Sequence, residues 1–159
     1  MCQPVLISAC LLGENCRYDG CNSLNSQLKN APIHWIPVCP EIEGGMQTPR
    51  LKSELQDSAS NILNNGTGIL NENGDDNTGA FLTGAKKSLH TISGQAVKYA
   101  VLKSKSPSCG SGEIYDGTFS GRLIPGNGIL SQLALDAGLT VISSDDKNKW
   151  SELINGIDK

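Results

Sequence analysis

The sequence predicts an α/β fold, a Rossmann-like three-layer domain with a mostly parallel sheet, and three observations carry that expectation. Short β-branched or apolar runs alternate with longer amphipathic stretches, as in βα units that feed a parallel sheet. Glycines stand between a helical stretch and the next apolar run, where a helix would stop. The 159 residues, 38% hydrophobic and 18% charged, can bury one sizeable core and are too few for two full domains. One domain over residues 1–159 is therefore expected.

The elements follow in chain order. Val5–Ser8 is a strand and Ser23–Lys29 a helix, and Trp35–Val38 is the second strand. Residues 61–77 are rich in Asn, Gly and Asp and promise only a strand at Gly68–Leu70 with a turn at Asn73–Gly74. Thr78–Ser93 is a helix with Phe81, Leu82, Ala85 and Leu89 on one face, and Gly94 stops it ahead of the strand Tyr99–Lys103. The stretch 112–128 holds too much glycine for a helix and reads as an ordered loop or a small hairpin, the kind of segment that walls a site or meets a partner. Gly128–Ala137 is helical, Gly138 stops it, Leu139–Ser143 is the last strand and Lys147–Ile154 the last helix.

Charge narrows the partners. The formal net charge is −3 and no run of Lys or Arg occurs, which argues against a nucleic-acid polymer, because phosphate binding needs clustered positive charge. No basic leader with a long apolar segment and no apolar run near 18 residues is present, so a cytoplasmic protein without a membrane partner is expected. In that compartment the six cysteines are not expected to form a disulfide framework, and metal binding, catalysis or plain burial remain.

Placement separates the cysteines. Ligands of open α/β sheets bind beyond the carboxyl ends of the strands. Cys10 follows the first strand by two residues, Cys39 directly follows the second, and Cys109 lies six residues past Lys103. Loops far apart in sequence would thus bring three thiols to one edge, where backbone N–H groups and helix N-termini favour anionic sulfur. A single cysteine near a strand end is more often core than ligand, and Cys2 and Cys21 keep that plain reading. Cys16 stands between the two. Structural zinc takes paired cysteines two to four residues apart, whereas Cys10, Cys16 and Cys21 are separated by five and four residues in no repeated pair, and the ferredoxin run is absent. Three dispersed ligands on an iron–sulfur cubane would leave one iron without a protein ligand.

The motifs Ser8-Ala9-Cys10-Leu11-Leu12-Gly13, Cys16-Arg17-Tyr18-Asp19-Gly20, Pro37-Val38-Cys39-Pro40-Glu41, Pro49-Arg50 and Lys103-Ser104-Lys105-Ser106-Pro107-Ser108-Cys109-Gly110 make the chain resemble the thiouracil desulfidase family from about Val5 to Val141. The resemblance implies a [4Fe–4S] cluster held by Cys10, Cys39 and Cys109; Cys16 is the rival to Cys39, although relatives that carry valine at its position argue that it is not an obligate ligand. It implies Glu41 as the catalytic acid or base, and a catalytic serine that is either Ser104 or Ser106. The implied reaction is non-redox and water-dependent: the open iron, a soft Lewis acid, takes a thiocarbonyl sulfur, Glu41 activates water, and uracil and hydrosulfide on the open iron result. The implied substrate is a small thiolated pyrimidine, base or nucleoside, and an open iron implies oxygen sensitivity. Cys21-Asn22 departs from the more polar or basic pair expected there.

Arg17, Tyr18 and Asp19 could form a base-reading wall, or Arg17 and Asp19 only a local ion pair. Arg50 and Arg122 are similar cases. Two other functions compete. An iron–sulfur electron carrier or redox sensor would use Cys16 as a fourth ligand. A nucleotide-binding module would cradle phosphate on residues 117–122, although no Walker or dinucleotide fingerprint is present.

Overall fold

A computed structural model describes residues 3–157. Eight strands and six helices appear in the order β1 (Pro4–Ser8), α1 (Ser26–Lys29), β2 (His34–Val38), α2 (Pro40–Glu43), β3 (Ser53–Leu55), α3 (Ala59–Asn65), β4 (Ile69–Asn71), α4 (Thr78–His90), β5 (Tyr99–Leu102), β6 (Glu113–Tyr115), β7 (Leu123–Pro125), α5 (Ile129–Asp136), β8 (Thr140–Ser143) and α6 (Lys147–Ile157). A 3₁₀ turn, Ala9–Leu12, follows β1 directly.

The central sheet has the order β2-β1-β5-β8, all parallel, with Leu6 opposite both Ile36 and Ala100. Because successive side chains of a strand point to opposite faces, β1 sends Leu6 one way and Val5 and Ile7 the other. Leu6, Ala100 and Leu102 pack with Phe81, Ala85, Ile129 and Leu130 of α4 and α5. Val5, Ile7, Val101 and Ile142 pack with Leu28 of α1 and Trp150 of α6. These two cores make the three layers, and each fully buried large side chain contributes roughly 1.5–3 kcal/mol. The chain leaves β1 toward β2 and later returns to β5 on the other side of β1. The strand order therefore reverses between β1 and β5, where open α/β sheets place their ligands.

All four strands expected for this sheet are present, and α4, α5 and α6 match their expected segments within a few residues. The helix expected over Ser23–Lys29 is a single turn starting at Ser26, because the Ser23 N–H is spent on the Cys10 carbonyl and the Asn25 side chain caps the Leu28 N–H. The strand expected at Gly68–Leu70 lies one residue later, at Ile69–Asn71, and pairs antiparallel with β3. Helices α2 and α3 and strand β3 were not expected from the sequence. They are short, and α3 depends on its Ser58 cap and the buried Ile62 rather than on a periodic apolar face. Of the two readings for the stretch 112–128, the small hairpin is the one found, as β6–β7.

Helices α2 and α4 touch through glycine. A Cβ on Gly84 would lie 1.7 Å from the Pro40 carbonyl oxygen, and one on Gly44 would lie 2.1 Å from that of Ala80. Only bare backbone lets α2 sit this close, and α2 carries Glu41. No helix among the described residues is long and apolar enough to cross a membrane.

Candidate functional site

A cavity of about 490 Å³ opens at the carboxyl ends of β1, β2 and β5, within the size range of small-molecule sites. Cys10, Cys16, Cys39 and Cys109 all line it, as do Glu41, Ser104 and Ser106. Cys10 arrives on the 3₁₀ turn after β1, Cys39 is the residue before α2, and Cys109 lies in the loop after β5. Cys21 is exposed elsewhere, and Cys2 lies outside the described residues.

The Cys109 loop is held from several sides. Ser106 Oγ accepts from the Ser108 and Cys109 N–H groups, the Cys109 carbonyl accepts from Ser131 Oγ, and the Ser108 carbonyl accepts from Leu130 N. The first N–H groups of α5 thus serve the loop's carbonyls. Gly110 and Gly128 allow this packing, since a Cβ on either would come within 2.7 Å of a backbone oxygen of the loop. At the strand reversal, Ser8 Oγ accepts from Lys103 N at 2.8 Å.

Glu41 is buried among functional groups. Ser108 Oγ donates to its Oε1 at 2.5 Å, Cys39 Sγ donates to its Oε2 at 3.4 Å, and Arg50 Nη2 stands 3.8 Å from Oε2. Arg50 is itself fixed by donating to the Cys16 carbonyl at 2.9 Å and to Thr48 Oγ1. Ser108 is fully buried and lies behind Glu41 rather than on the cavity wall. Ser104 and Ser106 do reach the wall, and neither hydrogen-bonds Glu41. The partnership of Ser108 with Glu41 was missed from sequence, although Ser108 directly precedes Cys109 in the same motif.

The thiols respond to burial. Burial, then repulsion from Cys16, pushes Cys10 up to about 11, and burial together with Glu41 raises Cys109 well above the ordinary thiol value. The interaction of the Cys39 and Cys16 side chains raises Cys39 and lowers Cys16, and burial adds to the rise of Cys39. Buried thiols beside a carboxylate are poor anions until a cation joins them, which is the donor chemistry of a thiolate-held metal centre. Among the described residues, no group of three or more His, Cys, Asp or Glu could hold a single metal ion. Four cysteines on one cavity wall are the donor type that an iron–sulfur cluster takes, so the residues present fit such a cluster.

The outer wall comes from other parts of the chain. Arg17 and Tyr18 line the cavity, and Asp19 does not. Asp19 accepts from the Cys21 N–H and pairs with Arg17 at 3.6 Å, so the local ion pair is present and Asp19 is no part of the wall. The Tyr18 ring lies 5.7 Å from the Arg17 guanidinium and 5.4 Å from Lys52 Nζ. Tyr115, Phe119 and Gly121 of the β6–β7 hairpin complete the wall, while Arg122 only pairs with Asp116 at 4.0 Å. Lys105 and Phe119 both line the cavity with left-handed backbones, at φ 65° and 57°. Such strain in non-glycine residues gathers at functional sites.

Known proteins resemble the chain over nearly its whole length. A family model for 2-thiouracil desulfurase matches residues 5–146. The protein YbbK of Bacillus subtilis (strain 168) is 37% identical over 147 residues, which cover 91% of this chain and 97% of the relative. A solved structure of the [4Fe-4S]-dependent thiouracil desulfidase TudS superposes with a TM-score of 0.83 at 34% identity, covering 96% of this chain and 98% of that one.

Proposed function

The chain belongs to the 2-thiouracil desulfurase family, and from that premise we propose how its own residues perform thiouracil desulfidation with a [4Fe–4S] cluster. Cys10, Cys39 and Cys109 hold the cluster, one thiolate from each of three strand-end loops. The reading is supported above all by the convergence of these cysteines with Glu41 on one cavity. Cys16, whose carbonyl accepts from Cys39 Sγ at 3.7 Å, is the spare thiol and the rival to Cys39 as third ligand. When bound, the cluster would supply a soft Lewis-acidic iron suited to polarising a C=S bond.

The remaining chemistry belongs to the protein. Glu41 accepts a proton from the water that adds to the ring carbon, and Ser108 behind it and Arg50 beside it hold the carboxylate in one orientation. Ser106 accepts two backbone N–H groups and keeps its own hydroxyl proton to donate, so it is the serine that orients the water or the ring. Ser104 is held by Lys103 and Ser144 and is the second candidate. No electrons are gained or lost overall. One desulfidase domain of residues 1–159 acts in the cytoplasm on a small thiolated pyrimidine, without a membrane or nucleic-acid partner, and an open iron makes it sensitive to oxygen. The electron-carrier reading is not favoured.

Anaerobic purification followed by iron, sulfide and turnover measurements tests this. The expected result is about four iron and four acid-labile sulfide per chain, with sulfide released from 2-thiouracil or 4-thiouracil and loss of colour and activity in air. Stoichiometric zinc without iron, or a full cluster that releases no sulfide from any thiolated pyrimidine, would overturn it.

A further inference from the structure

One carboxylate on the cavity wall has no part in the chemistry above. Glu54 of β3 is 6% exposed and sits among the lining residues. Its Oε1 accepts from the Gly117 N–H at 3.0 Å and the Phe119 N–H at 3.2 Å, and so ties down the tip of the β6–β7 hairpin. Gln56 adds a second tie by donating to the Gly117 carbonyl at 2.9 Å. The tip fits without slack, since a Cβ on Gly117 would lie 2.8 Å from the Leu55 carbonyl oxygen. Phe119 therefore keeps a left-handed backbone that its side chain would not choose alone, and the residue lines the cavity.

Glu54 Oε2 has no hydrogen-bond partner among the described residues. Among the described residues only Ser88 Oγ is both enclosed and unpaired, so Oε2 keeps contact with solvent, and its lone pairs are open to a ligand that brings an N–H. A pyrimidine offers both things this wall lacks: ring N–H groups for a free acceptor and a flat π-face for an aromatic ring. A thiocarbonyl or carbonyl group offers Glu54 nothing, so the carboxylate reads the ring and leaves the sulfur to the other side of the cavity.

We propose that Glu54 determines specificity for the pyrimidine ring: Oε2 accepts a hydrogen bond from a ring N–H, while Oε1 holds Phe119 against the face of the same ring. This rests on the desulfidase reading and adds to it how the base is recognised. It also accounts for the buried acidic residue on a strand too short to be worth forming for its own sake, since β3 presents Glu54 to the hairpin.

The test is a comparison of ligands and variants by titration calorimetry on cluster-loaded protein, using uracil, 1-methyluracil and 3-methyluracil. In the parent, methylation of the N–H that Glu54 reads should weaken binding about 10- to 100-fold, the usual effect of removing a hydrogen bond to a charged group. Glu54→Gln keeps an oxygen for the hairpin but turns an N–H toward the ring. Uracil should bind that variant at least tenfold more weakly, and the methylation penalty should shrink to less than about threefold, with iron content unchanged. Phe119→Leu should weaken uracil and both methyl derivatives alike, by about fivefold to a hundredfold, and keep the penalty. A penalty that persists at full size in Glu54→Gln, or its absence in the parent, would overturn the inference even while thiouracil is still desulfurated. A parent that neither releases sulfide nor binds uracil would instead overturn the function itself.

Discussion

The loop after β5 and the β6–β7 hairpin both wall the cavity, yet they are held in opposite ways. The loop is bound through its own backbone: two N–H groups on Ser106, carbonyls on Ser131 and the start of α5, and two glycines where no side chain would fit. The hairpin tip is bound mainly through two side chains, Glu54 of β3 and Gln56 just past its end. Backbone anchoring suits groups that must not move, such as Cys109 and the Ser108 that supports Glu41. Side-chain anchoring suits a surface that selects a ligand, because a single substitution can retune it. On the proposed function, chemistry and recognition would occupy neighbouring walls of one cavity with different tolerance to change.

Substitutions at the strand ends should break this contrast most severely. Cys10→Ser, Cys39→Ser and Cys109→Ser are each expected to abolish or greatly weaken cluster retention, measured as iron per chain after anaerobic purification, while Cys21→Ser retains it. Cys16→Ser should also stay brown; a colourless Cys16→Ser beside a brown Cys39→Ser would exchange their roles. Gly84→Ala reaches the same wall from outside. Its methyl group meets the Pro40 carbonyl, so α2 must shift, at a cost of about 1–3 kcal/mol in denaturant unfolding together with reduced cluster content. Unchanged stability there would mean that α2 is not set by this contact.

Next in size are changes that spare assembly. Glu41→Gln should keep the cluster spectrum and lose about 10²–10⁴ in kcat, since an amide does not accept a proton from water near neutral pH. If it turned over like the parent, the base would have to be sought elsewhere, with Glu43 and Asp19 next. Ser106→Ala should lose less than Glu41→Gln, and Ser104→Ala less again; the reverse order would make Ser104 the orienting hydroxyl. On the recognition wall, Gly117→Ala should strain the left-handed tip and loosen the hairpin, raising KM about tenfold with kcat and iron content nearly intact. A collapse of cluster content in that variant would erase the distinction between the walls.

The smallest expected effect lies where β4 turns into α4. Hydrogen bonds from Thr78, and from Thr67 more weakly, hold the Asp76 carboxyl below its ordinary value. A depressed folded value means stability that is present above the unfolded carboxylate pKa and lost as pH falls through the folded one. Asp76 is almost fully open to water, so after solvent screening Asp76→Asn should cost only a fraction of a kcal/mol near neutral pH. That difference should fade in acid; a gap that widened below pH 4 would contradict the assignment.

The sequence by itself determined the sheet strands, the longer helices and the three strand-end cysteines, because these rest on local periodicity and on the rule that an α/β sheet gathers its loops at one edge. Its motifs also singled out Glu41 and the serine-rich loop. Only the tertiary structure decided which groups meet. Ser108 and Glu41 are 67 residues apart, and Gly117 is 63 residues from Glu54, so no local pattern records either hydrogen bond. The same holds for Arg50, whose guanidinium reaches the Cys16 carbonyl 34 residues away. The short strand β3 was illegible for a related reason. Its three residues are buried on account of what the hairpin and β4 bring to them, and a side chain's partners across the fold leave no mark on the spacing of its neighbours in sequence.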